Sequence, residues 1–157
     1  MGQRSVFLIA ACLAAGPAFS ECKPRQVDIR DADGSVASFT VEIADTPAEQ
    51  SNGLMGRTAM GDWRGMLFVY NSPRPVAFWM RNTLIPLDMI FADASGTVTK
   101  VHSNAVPLDE SLIQSDGAVQ YVLEINGGLA AELGVEPGST LRAAAIDQGA
   151  AAWSCAE

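Results

Sequence analysis

The spacing of the apolar segments constrains the fold more than any other feature of the sequence. Short apolar runs recur from residue 27 to residue 146, and turn-forming residues such as Asp33-Gly34 and Pro137-Gly138 separate them. Runs bounded in this way are typical of β-strands, whereas a parallel, doubly wound sheet needs long helices between its strands. The pattern predicts a β-rich α+β domain with about eight strands in a compact, barrel-like, mostly antiparallel sheet and two short helices.

Local signals place several of these elements. Alternation of apolar and polar residues on both sides of Asp33-Gly34 predicts a hairpin. Thr46-Pro47-Ala48-Glu49 is a capping box with proline at the first helical position, so a short helix should begin there and end by Gly53 or Gly56. A second short helix is predicted over 127–133, before Gly134. Further strands are predicted over 66–70, 76–80, 87–92, 97–102, 119–125 and 140–146.

Residues 1–20 have the pattern of a secretory signal peptide. Arg4 gives a basic start, residues 6–16 are apolar, and Ala18-Phe19-Ser20 fits the small-x-small cleavage pattern. The apolar run is too short to span a membrane. A lipoprotein cleavage box at 9–12 is an alternative that the short apolar stretch before it disfavours. We expect bacterial-type export to the periplasm or the medium, no membrane span after cleavage, and a single globular domain over residues 21–157.

The charge of the chain restricts its partners. Eighteen acidic and ten basic residues give a formal net charge of −8, and Arg4 is the only charged residue before residue 21. An acidic domain is not attracted to phosphate backbones or to anionic lipid. We therefore expect no nucleic acid or membrane surface as a partner, but a small polar ligand or an envelope protein. The domain is expected to be a monomer without a cofactor.

Two cysteines, Cys22 and Cys155, remain after the predicted cleavage, one near each end of the domain. Paired cysteines persist in exported proteins, and the ends of a compact domain often lie close together. We therefore predict a disulfide between them, which would contribute on the order of 4 kcal/mol by constraining the unfolded chain. The tail 147–157 should be irregular, fixed by Cys155 and Trp153.

The sequence contains no motif that identifies an enzyme class. It has no Gly-rich phosphate loop, no G-x-S-x-G nucleophile elbow and no H-E-x-x-H motif. His102 is the only histidine, which excludes a centre built from several histidines. Any functional residues must therefore be sought among isolated polar side chains in apolar segments.

Asp88 is the clearest of these, because it interrupts the apolar segment 87–92 on the same strand face as Ile90. A buried carboxylate without a partner is costly or becomes protonated, so Asp88 needs a partner. We expect that partner among Arg57, Arg64 and Arg81, or in the turn 81–83. The preceding strand, 76–80, is apolar on both faces and should be covered on both.

Glu124 is a second acidic residue in an apolar segment, the strand predicted over 119–125, and it also needs a partner if it is buried. Asp88, Glu124 and the polar residues near them in the sequence suggest a cluster on an apolar scaffold, and two interpretations stay open. Either the residues satisfy one another and fix loops, or they line a pocket for a small polar ligand. The candidate pocket residues are Arg57, Trp79, Arg81, Asn82, Thr83, Asp88, Glu124 and Asn126.

Methionine forms a second cluster in the sequence. Five of the six methionines lie between residues 55 and 89. Thioethers and an imidazole can bind Cu(I), and Met55, Met80 and His102 would be the ligands, with Trp79 stacked over the ion. Methionine also fills irregular gaps in apolar cores. The inward strand positions favour core packing, so no metal is expected.

Three segments carry a family resemblance: GLMGRTAMGDWRGMLFVYNSPRPVAFWMRNTLIPLDMIFAD, YVLEINGGLAAELGV and PGSTL. Together they resemble the family called domain of unknown function 192, over a core of about residues 27–146. The resemblance implies a small β-rich domain, typically exported or membrane-anchored, with no established activity. Many members have lysine where this chain has Arg81, and that exchange keeps the charge but changes the donor geometry. The family's signature residues correspond here to Gly53, Leu54, Met55, Arg57, Gly65, Met66, Phe68, Trp79, Met80, Asn82, Thr83, Pro86, Leu87, Asp88, Pro107, Glu124 and Gly128.

Three functional hypotheses follow. The first is a small-ligand-binding or accessory module in the periplasm with a polar pocket. The second is a hydrolase or transferase in which Asp88 or Glu124 acts as general base, which would need a carboxyl pKa raised by burial and no arginine nearby. The third is a Cu(I)-handling protein. We favour the first, because no nucleophile–base pair is evident and a few converging polar groups on a barrel make a good binding site.

Overall fold

The computed structural model describes residues 21–156, so the predicted signal peptide lies outside the described residues. None of the helices within 21–156 is long and apolar enough to cross a membrane. The elements are β1 (Gln26–Arg30), β2 (Val36–Ala44), α1 (Pro47–Asn52), β3 (Arg64–Arg74), β4 (Ala77–Phe78), β5 (Leu87–Ala92), β6 (Val98–Ala105), β7 (Ile113–Gln114), β8 (Val119–Asn126), α2 (Leu129–Glu132) and β9 (Thr140–Ala143).

Seven of the strands form one sheet in the order β6-β5-β8-β3-β2-β1-β9. Its neighbours are antiparallel except β2 and β3, which run parallel because the chain crosses back through α1. The sheet curls into a half-barrel, and its two edges meet at one corner. There the Val98 N–H donates to the Ser139 carbonyl at 2.8 Å, and the Leu141 N–H donates to the Gly96 carbonyl at 2.8 Å. The predicted β-rich, mostly antiparallel, barrel-like architecture is confirmed.

The two faces of the curled sheet pack against separate apolar cores. All seven strands contribute to the core of the concave face, which includes Val27, Ile29, Phe39, Val41, Leu67, Ile90, Val98, Tyr121, Leu123, Ile125, Leu141 and Ala143. The outer face of its central strands carries the second core, which includes Met66, Phe68, Tyr70, Leu87, Met89, Phe91 and Val122. Side chains that alternate along one strand therefore enter different cores.

The segment before Asp88 differs from the sequence-based expectation. The strand predicted over 76–80 is reduced to the two residues of β4, which pair with β7 outside the main sheet. Phe78 packs inward on the second core, but Ala77 is exposed and 42% of Trp79 is exposed. The prediction that both faces are covered is wrong, because this segment lies over the sheet as a cover and has no further layer outside it.

The helices are short, as predicted. At the start of α1 the Thr46 hydroxyl accepts from the Glu49 N–H at 3.3 Å, and the Glu49 carboxylate accepts from the Thr46 N–H at 3.1 Å, which is the expected capping box. Gly53 ends the helix at φ 48°. The second helix, α2, is a single turn and is shorter than the predicted 127–133.

A disulfide joins Cys22 to Cys155, as predicted, across a sequence separation of 133 residues. The tail after β9 has no regular structure, and Trp153 anchors it in a buried position. The guanidinium groups of Arg30 and Arg142 lie 4.5 and 4.2 Å from the centroid of the Trp153 ring. Both ends of the described chain are thus fixed near β1 and β9.

Candidate functional site

Asp88 is completely buried on β5, on the concave face, and three backbone N–H groups satisfy it. Its Oδ1 accepts from the N–H of Asn104 at 2.7 Å and of Gly128 at 2.9 Å, and its Oδ2 accepts from the N–H of Ala130 at 2.7 Å. The expectation of an arginine partner or of the turn 81–83 is wrong. The first turn of a helix has N–H groups without intrahelical partners, and Asp88 supplies the acceptor that α2 lacks.

The Arg81-Asn82-Thr83 segment forms a turn at the other face. The Thr83 N–H donates to the Met80 carbonyl at 3.0 Å, and Asn82 takes a positive φ of 55°. The Asn82 carbonyl accepts from the Gly56 N–H at 2.8 Å, which ties this turn to the loop after α1. Asparagine tolerates such a conformation better than most residues, so its place here has a structural explanation.

Two further candidate residues have partners of their own. Arg57 forms an ion pair with Glu42 at 2.6 Å, at a half-exposed position. Asn126 donates from Nδ2 to the carbonyls of Met60 and Gly61 at 3.2 and 3.1 Å. These contacts stabilise the loop between α1 and β3. The structure therefore does not gather all eight candidate residues into one cluster.

Glu124 differs from all of these because its carboxyl has no hydrogen bond or ion pair within residues 21–156. It lies on the central strand β8, where the sheet register places it between Met66 of β3 and Met89 of β5 on the outer face. Only 4% of the residue is exposed. Burial raises the pKa of the Glu124 carboxyl to about 8, because the charged form is poorly solvated there.

The buried Glu124 side chain opens on a cavity of about 580 Å³ on the outer face. Of the candidate residues, Trp79, Thr83 and Glu124 line this cavity, whereas Asp88 lies on the opposite face of the sheet. The cavity lies between α1, the end of β3 and the covering segment around β4. Its remaining lining residues are Pro47, Gln50, Ser51, Asn52, Gly53, Leu54, Met55, Phe68, Tyr70, Arg74, Pro75, Val76, Ala77 and Phe78.

Aromatic rings form much of the cavity wall, and the sequence-based reasoning missed three of the four. Phe68 and Phe78 meet edge to face with their ring centroids 4.9 Å apart. Burial raises the pKa of Tyr70 to about 12, and the nearby Glu124 carboxylate adds to the rise while Arg74 opposes it. The Arg74 guanidinium lies 4.6 Å from the Tyr70 ring centroid. An amphipathic cavity with one carboxyl at its base results.

The methionines and the histidine are separated. Met66, Met80 and Met89 are buried in the second core, in agreement with the core-packing interpretation. Met55 lines the Glu124 cavity, whereas Met80 and His102 line a different cavity of about 690 Å³. Within the described residues no group of three or more His, Cys, Asp or Glu side chains is arranged to hold a metal ion. The three sulfur and nitrogen ligands of the copper hypothesis therefore do not share one site.

The fold and the cavity define a small β-rich domain with a ligand-sized, partly aromatic cavity on the outer face of a curled sheet. The sequence of residues 28–143 matches the model of the family domain of unknown function 192, described as "Uncharacterized ACR". The chain therefore belongs to this family, as its motifs indicated. No curated protein matches the chain.

Two of the solved structures similar to this chain come from Sinorhizobium meliloti and Novosphingobium aromaticivorans. A protein of Sinorhizobium meliloti, described provisionally as a transcription regulator, is 42% identical with a TM-score of 0.77, over 80% of this chain and 98% of that one. A protein of unknown function from Novosphingobium aromaticivorans is 47% identical with a TM-score of 0.71, over 74% of this chain and 82% of that one.

Proposed function

We propose that this protein is an exported small-ligand-binding module and that its ligand occupies the cavity above Glu124. The observation that supports the proposal most strongly is a nearly buried carboxyl group without a hydrogen-bond partner in the described chain, placed at the wall of a cavity. Buried polar groups are normally satisfied, so an exception at a cavity suggests a missing partner that a ligand can supply.

The cavity has the general properties of a ligand site. Its volume of about 580 Å³ lies within the usual range for small-molecule sites. Apolar and aromatic walls alternate with polar side chains, which are Gln50, Ser51, Asn52, Tyr70, Arg74, Thr83 and Glu124. The disulfide agrees with an exported protein that meets its ligand in an oxidising compartment.

A second candidate function is acid–base catalysis by Glu124. A carboxyl whose pKa is about 8 can hold a proton at neutral pH and donate it, as the general acids of several hydrolases do. Asp88 loses this role, because three backbone N–H groups hold it on the other face of the sheet. The cavity lining includes Ser51 and Thr83 but no histidine or cysteine, so binding is the simpler function.

Two other functions receive less support. The description of the Sinorhizobium protein raises transcription regulation, but a net charge of −8 opposes the approach of a phosphate backbone. Copper handling would need Met55, Met80 and His102 to converge, but Met55 lines a different cavity from Met80 and His102. Neither function explains why the Glu124 carboxyl is left without a partner.

The proposal can be tested by a thermal-shift screen of the purified protein with its disulfide oxidised. The compounds would be amino acids, amines, sugars, nucleotides, peptidoglycan fragments and Cu(I). A ligand that binds only the native state raises the melting temperature in a saturable way. We expect at least one organic compound to do so, and we expect the shift to disappear in Glu124→Gln and to shrink in Trp79→Ala.

Glu42→Gln is the matched control, because Glu42 forms a half-exposed ion pair with Arg57 and does not line the cavity. A shift that survives Glu124→Gln but disappears in Glu42→Gln would place the site elsewhere and contradict the proposal. A shift with Cu(I) alone would favour the copper hypothesis. Slow hydrolysis of a bound compound, abolished by Glu124→Gln, would favour the acid–base alternative.

A further inference from the structure

The unpartnered Glu124 carboxyl in the cavity indicates what kind of ligand fits it. The ionised Glu124 carboxylate would need a positive partner, since a buried unpaired charge is unfavourable. No lysine lines the cavity, and the one arginine, Arg74, lies against the Tyr70 ring and forms no ion pair with Glu124. Residues 21–156 therefore supply no positive partner for an ionised Glu124, whereas a cationic ligand would.

The walls around this carboxyl suit a particular kind of cation. Phe68, Tyr70, Phe78 and Trp79 line the same cavity, and the faces of aromatic rings attract cations, most strongly when water is excluded. Two rings of this wall already lie against positive groups. Arg74 lies 4.6 Å from the Tyr70 centroid and Arg81 lies 5.5 Å from the Trp79 centroid. A metal ion gains little from such walls, whereas an alkylammonium group is matched by both the rings and the carboxylate.

From this juxtaposition we propose that the ligand of the Glu124 cavity is an organic cation of the alkylammonium class, with its positive group against the Glu124 carboxylate and its carbon groups against the aromatic walls. The proposal rests on the function proposed above and gives the class of its ligand. The net charge of −8 adds a long-range attraction for cations.

Binding must then release a proton. Without a ligand, burial keeps the carboxyl protonated below about pH 8, and the cation binds the ionised form. In this step the organic cation R₄N⁺ and the neutral carboxyl form an ion pair and release one proton to the solvent. Tyr70 and Arg74 are the other ionisable groups of the cavity wall. Burial raises the pKa of Tyr70 to about 12, so Tyr70 stays neutral through this range.

The test compares three probes of similar size and shape that differ in charge: tetramethylammonium, tert-butanol and pivalate. Tetramethylammonium has no ionisable proton, so any pH dependence belongs to the protein. Binding would be followed by NMR titration of the full protein at millimolar probe concentrations, with constant total salt. We expect saturable binding of tetramethylammonium at the cavity residues, with Kd falling about tenfold for each pH unit between roughly pH 6 and 8.

A pH-stat titration in unbuffered solution should record close to one proton released per cation bound at about pH 6. Glu124→Gln should weaken tetramethylammonium binding at least tenfold and remove both the pH dependence and the proton release. Glu42→Gln should change none of these. If Glu124→Gln folds poorly, the slope of Kd against pH in the unaltered protein still decides the question.

The remaining outcomes separate this inference from the proposed function. If tert-butanol or pivalate binds the cavity as tightly as tetramethylammonium, the inference is overturned while small-ligand binding stands. If tetramethylammonium does not bind saturably, or binds with no dependence on pH, the inference is also overturned. The broad thermal-shift screen then decides the proposed function by itself, since a sugar or a nucleotide that binds through Glu124 would sustain it.

Discussion

Asp88 and Glu124 are two buried carboxyl groups on neighbouring strands, and their environments are opposite. In the register of β5 and β8, Asp88 pairs with Ile125, and Glu124 pairs with Met89, so the two residues are one position apart and point to opposite faces. Asp88 accepts three backbone hydrogen bonds. Glu124 accepts none from residues 21–156 and faces a cavity. Burial of a charged residue therefore does not reveal its role, whereas the presence or absence of partners does.

The largest effect that we expect is from Asp88→Ala. The substitution leaves the buried N–H of Ala130 and the partly buried N–H groups of Asn104 and Gly128 without their acceptor, and a buried group left unsatisfied costs about 1–3 kcal/mol. The free energy of unfolding should fall by roughly 4 kcal/mol, and the melting temperature by about 10 °C or more. Differential scanning calorimetry measures both, and Asp33→Ala, in an exposed turn, is the control. A loss as small as that of the control would contradict a structural role for Asp88.

The second effect is the pH dependence of stability that Glu124 contributes. Its pKa is about 8 in the folded protein and 4.5 in an unperturbed chain, so between these values the folded state binds a proton that the unfolded state has lost. Stability contributed by this group is therefore fully present below about pH 4.5 and is lost as pH rises to about 8, by at most about 1.4 kcal/mol per pH unit.

Glu124→Gln removes this pH dependence. Its melting temperature should match that of the unaltered protein near pH 5 and exceed it by a margin that grows towards pH 8. Melting curves of both proteins at several pH values, followed by circular dichroism, measure the margin. A constant difference in melting temperature across this range would show that Glu124 keeps its charge when buried.

Asp88→Asn keeps the size and shape of the side chain but replaces one carboxyl oxygen with an amide nitrogen. Asparagine keeps one acceptor oxygen, which can still serve Asn104 and Gly128, but its amide nitrogen would face the N–H of Ala130. We expect a loss of about 2 kcal/mol, between those of the Asp33→Ala control and Asp88→Ala. Urea unfolding gives this difference from the midpoint if the slope is unchanged. A loss equal to that of Asp88→Ala would mean that the negative charge itself is required.

The smallest effect on stability should come from Trp79→Ala. Trp79 is 42% exposed, and its ring is 5.5 Å from the Arg81 guanidinium, an exposed contact worth at most about 1 kcal/mol. We expect a fall of less than about 1 kcal/mol in unfolding free energy, together with a clear loss of ligand affinity. Urea unfolding and the thermal-shift screen test the two parts. A large loss of stability would make Trp79 part of the core and weaken its assignment to the cavity.

Much of the fold was accessible from the sequence because its signals are local. The capping box at Thr46 gave α1, and the apolar run 87–92 gave β5 with its bounds. The partners of Asp88 were not accessible, since backbone N–H groups carry no sequence signal and Gly128 lies 40 residues away. Sequence alternation also could not show that Asp88 and Glu124 point to opposite faces, because only the pairing of β5 with β8 fixes their relative orientation.

The aromatic cavity was hidden for a related reason. The segment 76–80 has the composition of a buried strand, yet it leaves the sheet after Pro75 and covers the outer face. In the sequence Phe68 and Tyr70 have the pattern of ordinary strand residues, and only the covering segment makes them part of a cavity wall. Glu124 itself could be identified from the sequence as an acidic residue in an apolar strand. Its lack of a partner could not, since that depends on every element packed around it.

The disulfide between Cys22 and Cys155 also determines how the domain responds to mechanical force. Tension applied at the two cysteines runs through the covalent bridge and does not load the hydrogen bonds between β1 and β9. An unfolding machine that pulls one end of the domain into a narrow pore would have to draw in two chain segments at once, because the polypeptide between the cysteines is a closed loop. Reduction of one bond would convert this loop into a chain that can be threaded singly.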